Sequence, residues 1–148
     1  MILYLDASAA VKRSVAEPGS TEVRQAIATA TVVGMVVIGR VEIVAALAKA
    51  VRMRALSATE AETARHVLRA EWTDYVRLRT TEALVSRADD LAWQYGLRGY
   101  DAVHLAAALL WQDGLEESVT LATFDRQLWQ AGRQSGLAMF PRSSDDVR

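Results

Sequence analysis

The sequence predicts an α/β fold in which a short parallel sheet is sandwiched between helices, giving three layers. Short apolar runs alternate along the chain with segments of helical character, an order typical of parallel strands joined by helical crossovers. The chain has 148 residues, the usual length of a single domain. We therefore expect one domain over residues 1–141, followed by a polar, frayed tail over residues 142–148.

Five short apolar segments are predicted to form the strands of this sheet. The first runs from Ile2 to Leu5 and is too short for a helix. The second is rich in valine, which favours strands. The third alternates apolar and polar residues, and the last is expected at an edge of the sheet. The segments are residues 2–5, 32–38, 75–79, 119–122 and 137–140.

Helices are predicted between these strands, and several have recognisable end signals. Ser57 and Glu60 have the spacing of a capping box. Ser20 and Thr81 are each placed to cap a further helix. The helix that begins at Gly39 has apolar residues at helical spacing, so one of its faces is apolar. This face consists of Val41, Val44, Ala45, Ala48 and Val51.

Composition excludes several classes of protein. The absence of cysteine rules out a disulfide framework, a thiolate metal site and a cysteine nucleophile. The net charge of −1 argues against a protein that binds nucleic acid mainly through non-specific electrostatics. The longest apolar stretches are far shorter than the ~20 residues that span a bilayer. The first residues are typical of a strand rather than a signal peptide, so we expect a cytoplasmic protein without a membrane association.

Four acidic residues are placed near the carboxyl ends of predicted strands or at the start of a helix. Asp6 directly follows the first strand, Glu42 lies one turn into the helix after the second, and Asp125 closely follows the fourth. Asp101 begins a largely apolar helix. Parallel sheets bind ligands beyond the carboxyl ends of their strands, so all four carboxylates are expected at one end of the sheet. Oxygen ligands of this kind suit Mg²⁺.

Each of these acids also has a simpler interpretation. Asp101 would serve as a helix N-cap, Asp125 as a first-turn partner of a helix dipole, and Asp6 as a turn former. Burying an isolated carboxylate costs several kcal/mol unless something compensates it. The expected convergence of all four at one sheet edge therefore favours a metal site over four separate local roles.

Five segments resemble, in order and over nearly the whole chain, the motifs of the PIN domain family. More narrowly, they resemble VapC, the toxin ribonuclease of bacterial and archaeal toxin–antitoxin pairs. Each motif is weak alone, whereas the ordered set at this length is specific. The segments are residues 4–12 (YLDASAAVK), 17–20 (EPGS), 40–47 (RVEIVAAL), 97–106 (LRGYDAVHLA) and 123–128 (TFDRQL).

The resemblance implies a PIN-like fold over residues 1–141, with helices on both sides of a short parallel sheet. It implies a metal-dependent endoribonuclease that cleaves RNA with Mg²⁺ or Mn²⁺ and is the toxin of a type II toxin–antitoxin system. It further implies a VapB-like antitoxin as protein partner and a homodimer. The implied catalytic and metal-binding residues are Asp6, Glu42, Asp101 and Asp125.

Smaller features accompany the resemblance. Ser8 and Thr123 match hydroxyl positions that often accompany the acids in the family. Gly39 is a departure, because many relatives have Ser or Thr there. His66 is expected to be exposed and His104 to be structural, so neither is expected to transfer protons in catalysis.

Two sets of residues have two interpretations each. The first set either contacts RNA phosphates or forms salt bridges that offset the acidic site. It consists of Lys12, Arg13, Arg40, Arg98 and Arg126. The second set either stacks on bases or packs in the core or an interface, and packing is favoured. It consists of Trp72, Trp93, Trp111 and Trp129.

Three other functions compete with the ribonuclease. A haloacid-dehalogenase-type phosphatase would need a second aspartate two residues after the first, where this chain has Ser8. A phosphoacceptor receiver module would need a lysine late in the chain, and the only lysines are Lys12 and Lys49. The alternative that we keep is a non-catalytic PIN-like module that binds RNA or protein, which the intact set of four acids disfavours.

Overall fold

The computed structural model describes residues 1–148 and contains one five-stranded sheet. Its strands are β1 (Ile2–Leu5), β2 (Val32–Val36), β3 (Val76–Leu78), β4 (Val119–Ala122) and β5 (Ala138–Phe140). They lie in the order β3-β2-β1-β4-β5, and all neighbouring strands are parallel. All five predicted strands are present, although β2 ends two residues before the predicted end at Ile38.

The central position of β1 determines where the sheet can form a site. β1 pairs with β2 on one side and with β4 on the other, so the order of the strands reverses there. The register aligns Leu5 with Ala122, and the N–H of Asp6 donates to the carbonyl of Ala122 over 3.1 Å. Asp6 and Thr123, which follow the two strands, therefore leave the sheet side by side.

Helices cover both faces of the sheet. They are α1 (Ala7–Val11), α2 (Ser20–Thr29), α3 (Gly39–Arg52), α4 (Ala58–Glu71), α5 (Glu82–Tyr95), α6 (Gly99–Leu115) and α7 (Arg126–Gln134). Side chains alternate along β1, so Leu3 and Leu5 pack with α1–α4 whereas Tyr4 packs with α5–α7. The predicted three-layer α/β/α arrangement is confirmed. None of the helices combines the length and apolar character needed to cross a bilayer.

Most of the predicted helix ends are present. Ser57 and Glu60 form the capping box, with Glu60 N–H donating to Ser57 Oγ over 3.1 Å, and Thr81 caps α5. Ser20 is not a cap, because Gly19 holds the N-cap position with φ of 88°. Ser20 lies inside α2, and its hydroxyl donates to the carbonyl of Val15 over 2.7 Å.

Helix α3 buries a different stripe from the predicted apolar face. Ile43 and Leu47 are buried against α1 and α4, whereas Val41 is 70% exposed. Both stripes are apolar, and the longer side chains of Ile43 and Leu47 fill the core. The helix begins at Gly39, as predicted. A Cβ at this position would clash with the fully buried side chain of Met35, which explains why the chain has glycine where many relatives have Ser or Thr.

The segment after β5 is not frayed, contrary to prediction. Its one aliphatic residue, Val147, is only 2% exposed. The N–H of Arg148 donates to the carbonyl of Phe124 over 3.0 Å, and the N–H of Arg126 donates to the carbonyl of Arg148 over 2.9 Å. These contacts hold residues 143–148 against the loop that follows β4.

Candidate active site

The four acids singled out in the sequence line a single cavity of about 280 Å³ at the carboxyl end of the sheet. Asp6 follows β1, Glu42 is in the first turn of α3, Asp101 is in the first turn of α6, and Asp125 precedes α7. Four elements that are far apart in sequence thus supply the carboxylates. The cavity is also lined by Ala7, Ser8, Arg98, His104, Phe124 and Arg148.

Asp6 is the most buried of the four acids, and hydrogen bonds hold its carboxylate in place. Its Oδ1 accepts from the Ala9 N–H over 2.8 Å, which makes Asp6 the N-cap of α1, and its Oδ2 accepts from Thr123 Oγ1 over 2.7 Å. Ser8 Oγ donates to the same carboxylate. Burial raises the pKa of Asp6, while His104 and these hydrogen bonds oppose the rise.

The hydroxyls of Ser8 and Thr123 have a fixed polarity. Ser8 Oγ accepts from the Phe124 N–H over 2.9 Å, and Thr123 Oγ1 accepts from the Asp125 N–H over 3.1 Å. Each hydroxyl keeps its own proton and donates it to the ionised Asp6, because a carboxylate can only accept. Two hydroxyls therefore stabilise the ionised form of this buried carboxylate.

Glu42 is oriented from the core through His104. The buried His104 places its Nε2 2.7 Å from Glu42 Oε1 and its Nδ1 2.9 Å from the Tyr4 hydroxyl. The Val36 N–H donates to the Tyr4 oxygen over 3.3 Å, so the phenol proton is free to bond to Nδ1. The Nε2–H of His104 then donates to Glu42, since a carboxylate can only accept. Burial raises the pKa of Tyr4 well above its ordinary value, so the phenol stays a donor.

Asp101 and Asp125 share one cation. Arg98 donates from Nε to Asp101 Oδ2 over 2.9 Å and from Nη2 to Asp125 Oδ2 over 3.0 Å, and its hydrogen bond to Asp101 raises its pKa. Asp125 is also the N-cap of α7, accepting from the Leu128 N–H. Asp101 is not an N-cap, because Arg98 occupies that position of α6. The local role considered for Asp101 is therefore wrong.

The other basic residues considered as RNA contacts are engaged elsewhere. Lys12 pairs with Glu17 over 2.9 Å, and Arg13 pairs with Glu71 over 2.6 Å. Arg40 lies over the ring of Trp72, and Arg126 donates to the Val147 carbonyl. Arg98 alone among the five predicted cations pairs with members of the acid set.

The donor set of the cavity fits a hard divalent cation in its chemistry, since it offers carboxylate and hydroxyl oxygens. The side-chain arrangement is not that of a preformed coordination sphere, because no three His, Cys, Asp or Glu side chains converge closely enough to hold an ion. Arg98 occupies an oxygen of both Asp101 and Asp125. A Mg²⁺ or Mn²⁺ ion bound through those oxygens would therefore compete with the guanidinium.

Two residues of the site were missed by the sequence analysis. Tyr4 supports His104, and the signal was an aromatic residue with a hydroxyl in an otherwise aliphatic strand. Arg148 lines the cavity, and no sequence pattern indicated that the last segment would return to it. His66 is exposed and His104 is buried, as expected.

The tryptophans divide into two groups. Trp72 and Trp129 are buried, and Trp111 packs against the backbone of Gly34, so packing is correct for these three. Trp93 is 93% exposed on α5, so within this chain it packs against very little.

Comparisons with known proteins agree with the fold. The family model described as "PIN domain" matches residues 3–133. Ribonuclease VapC45 of Mycobacterium tuberculosis (strain CDC 1551 / Oshkosh) is 32% identical over 97% of this chain and 98% of its own length. Ribonuclease VapC49 of M. tuberculosis (strain ATCC 25618 / H37Rv) matches with the same identity and coverage.

Solved structures match the fold as well. FitAcB from Neisseria gonorrhoeae superposes with a TM-score of 0.68 at 18% identity, over 96% of this chain and 98% of the other. A toxin–antitoxin complex from Klebsiella pneumoniae superposes with a TM-score of 0.59 at 16% identity, over 83% of this chain and 86% of the other. At these identities the two likenesses concern the fold.

Proposed function

The chain belongs to the PIN domain family, and from that premise we propose that it is a metal-dependent endoribonuclease, the toxin of a type II toxin–antitoxin pair. The observation that carries the proposal is the convergence of Asp6, Glu42, Asp101 and Asp125 on one cavity at the carboxyl end of the sheet. The near full-length similarity to two proteins named as ribonucleases supports the same reaction class.

In this proposal, the residues of the cavity have different roles in hydrolysis. Asp6, Asp101 and Asp125 would hold Mg²⁺ or Mn²⁺, and Glu42 would act through water or tune the cavity. The cation would supply Lewis-acid chemistry, lowering the pKa of water and offsetting charge on the phosphate. Ser8 and Thr123 keep Asp6 oriented, and His104 keeps Glu42 oriented. Arg98 holds Asp101 and Asp125 together, and the cation would compete with it for their oxygens.

The geometry disfavours the rival functions. Ser8 donates to Asp6 and has no carboxylate to act as the acid that a haloacid-dehalogenase-type phosphatase requires. Lys12 pairs with Glu17 and Pro18 rather than with an acid of the cavity, which argues against a receiver module. A non-catalytic PIN-like module would not need four carboxylates held in one cavity by hydroxyl, histidine and arginine partners.

The proposal includes a VapB-like antitoxin, an RNA substrate, a homodimer and a cytoplasmic location. Large apolar side chains exposed on three helices support a protein interface: Val41 on α3 is 70% exposed, Trp93 on α5 is 93% and Tyr100 on α6 is 61%. Tyr100 also lines an open cleft with Glu42. Sedimentation velocity of the purified chain tests the dimer, and a single species at the monomer mass would contradict it.

Asp101→Asn tests the reaction, with Asp113→Asn as the matched control. Both aspartates are in α6 and both pair with an arginine, but Asp113 bonds Arg87 outside the cavity. We expect Asp101→Asn to abolish growth inhibition and the appearance of new RNA 5′ ends after induction, while Asp113→Asn keeps both. Cleavage by the wild type should require a divalent cation and stop in EDTA. Full cleavage by folded Asp101→Asn, or without metal, would overturn the mechanism.

A further inference from the structure

We propose that Arg148 and the cavity beside it bind the nucleotide next to the scissile phosphate, with Arg148 on the phosphate and the base in the cavity. This inference rests on the proposed ribonuclease function and extends it to a substrate subsite. A second cavity, of about 560 Å³, adjoins the acidic one. Ser8, Phe124 and Arg148 line both cavities, so a strand that reaches the acids has a continuous path past Arg148.

The placement of Arg148 is built into the fold. Val147 is buried, and the backbone of Arg148 bonds to both Phe124 and Arg126. The Arg126 guanidinium also donates to the Val147 carbonyl over 3.4 Å. The backbone on both sides of the Arg148 side chain is therefore fixed while the side chain itself is exposed.

A phosphate bound at this site needs a second guanidinium nearby to offset the four carboxylates. An RNA phosphate that approaches four carboxylates is repelled unless cations accompany it. The Arg98 guanidinium already bonds to Asp101 and Asp125. Arg148 is the other basic residue lining the acidic cavity, and its side chain takes part in no hydrogen bond or salt bridge. Its planar group suits bidentate binding of phosphate.

The adjoining cavity has the character of a base site. Phe124, Phe140 and Pro141 give it apolar walls, with the Phe124 and Phe140 rings 6.4 Å apart in an edge-on arrangement. Its volume is within the range of small-molecule sites. Aromatic walls accept the face of any base.

Lys12 also lines this cavity, where it pairs with Glu17 and lies over the Phe124 ring. The other carboxylates of the lining are those of Glu22, Asp145 and Asp146. They repel a phosphate, but they accept hydrogen bonds from the exocyclic amine of a base, as acidic residues do from cytosine. The cavity should therefore prefer a base with an amino group to uracil.

Binding of labelled oligocytidine and oligouridine in EDTA tests the subsite without cleavage. Arg148→Ala should weaken binding of oligocytidine at least about tenfold, as loss of a charged hydrogen bond does. It should also flatten the plot of log K against log salt by about 0.7, the value for one phosphate contact on a single strand. Arg148→Lys should restore the slope but only part of the affinity. Wild type should bind oligocytidine more tightly than oligouridine.

Arg142→Ala is the matched control, because Arg142 is exposed in the same segment and has no side-chain partner. It removes the same charge and should leave affinity within about twofold. Equal behaviour of Arg148→Ala and Arg142→Ala would overturn the phosphate contact, and equal binding of the two oligonucleotides would overturn the base site. Both results are separate from the proposed function, which is tested by the metal requirement of cleavage and by the Asp101→Asn variant.

Discussion

His104 Nε2 lies 2.7 Å from Glu42 Oε1 and connects this carboxylate to the hydroxyl of Tyr4 in the core. The histidine is buried, and both of its ring nitrogens are bonded. Each nitrogen thus has a protein partner, Tyr4 on one side and Glu42 on the other. His104 is therefore a positioning residue for Glu42 in the proposed reaction.

We predict that His104→Gln lowers RNA cleavage about 10- to 100-fold, the usual effect of removing a partner that orients a ligand. Asp101→Asn should instead abolish it. His66→Ala, which changes an exposed histidine on α4, should leave the rate unchanged. Initial rates on one RNA, with folding checked by circular dichroism, measure the effect. A thousandfold loss in folded His104→Gln would point to histidine acid–base chemistry.

The second prediction concerns the cation shared by Asp101 and Asp125. Arg98→Ala should lower the melting temperature in EDTA by less than about 8 °C, because it removes two exposed pairs that contribute at most ~1 kcal/mol each, and the Arg98 side chain is 74% exposed. Adding Mg²⁺ or Mn²⁺ should raise the midpoint of the variant more than that of the wild type. The guanidinium no longer competes with the cation, and linkage stabilises the bound state.

Arg87→Ala is the control for this experiment, because it removes a comparable pair with Asp113 at 2.7 Å outside the cavity. Its melting temperature in EDTA should fall by no more than that of Arg98→Ala, and the rise in its melting temperature on adding metal should equal that of the wild type. If Arg98→Ala and Arg87→Ala respond alike to metal, Arg98 does not compete for the site.

The third prediction concerns stability at alkaline pH. Burial, with a smaller effect of Glu71 and an opposing one of Arg13, raises the pKa of Tyr75 to about 12. An unfolded tyrosine has a pKa of about 10, so the folded state binds the proton more tightly. The resulting stabilisation is complete below pH ~10 and is lost as pH rises towards ~12.

Urea unfolding of Tyr75→Phe and wild type across this range measures the effect. As the pH rises, the free energy of unfolding of the variant should fall less than that of the wild type, and the difference between the two falls should be at most ~2.7 kcal/mol. Tyr100→Phe changes an exposed phenol and should follow the wild type. If the free energy of unfolding falls equally with pH in Tyr75→Phe and in the wild type, the folded state does not hold the phenol of Tyr75 protonated.

The fourth prediction concerns the glycine where many relatives have Ser or Thr. Gly39→Ser should cost about 1–3 kcal/mol, because the new Cβ meets the buried Met35 side chain. Gly99→Ser, at the first residue of α6, meets open space and should be nearly neutral. In a double-mutant cycle, Met35→Ala should relieve part of the cost of Gly39→Ser. Additive effects would mean that Met35 is not the obstacle.

Local chemistry made most of the fold predictable. The strands, the Ser57 capping box and the Thr81 cap depend on neighbours within a few residues, so the sequence alone predicts them. The gathering of the four acids was predicted because the carboxyl ends of parallel strands meet at one edge.

The features that were missed depend on tertiary contacts. The buried stripe of α3 was decided by Ile43 and Leu47 fitting between α1 and α4, and the docking of residues 143–148 was decided by a pocket for Val147. For Arg98, the salt bridge to the acids was one of two interpretations, and the sequence did not decide between them because its two partners are distant in the sequence from each other. No periodicity or spacing carries such information.

The hydrogen bond from Thr123 to Asp6 spans 117 positions of the chain. During synthesis at 5–20 residues per second, roughly 6–23 s separate the appearance of these two residues. β1 cannot pair with β4, and the acids cannot gather, until the later residues have left the ribosome. In the proposed function, the nascent chain cannot cleave RNA during that interval, which gives the proposed antitoxin that time to arrive before the site is complete.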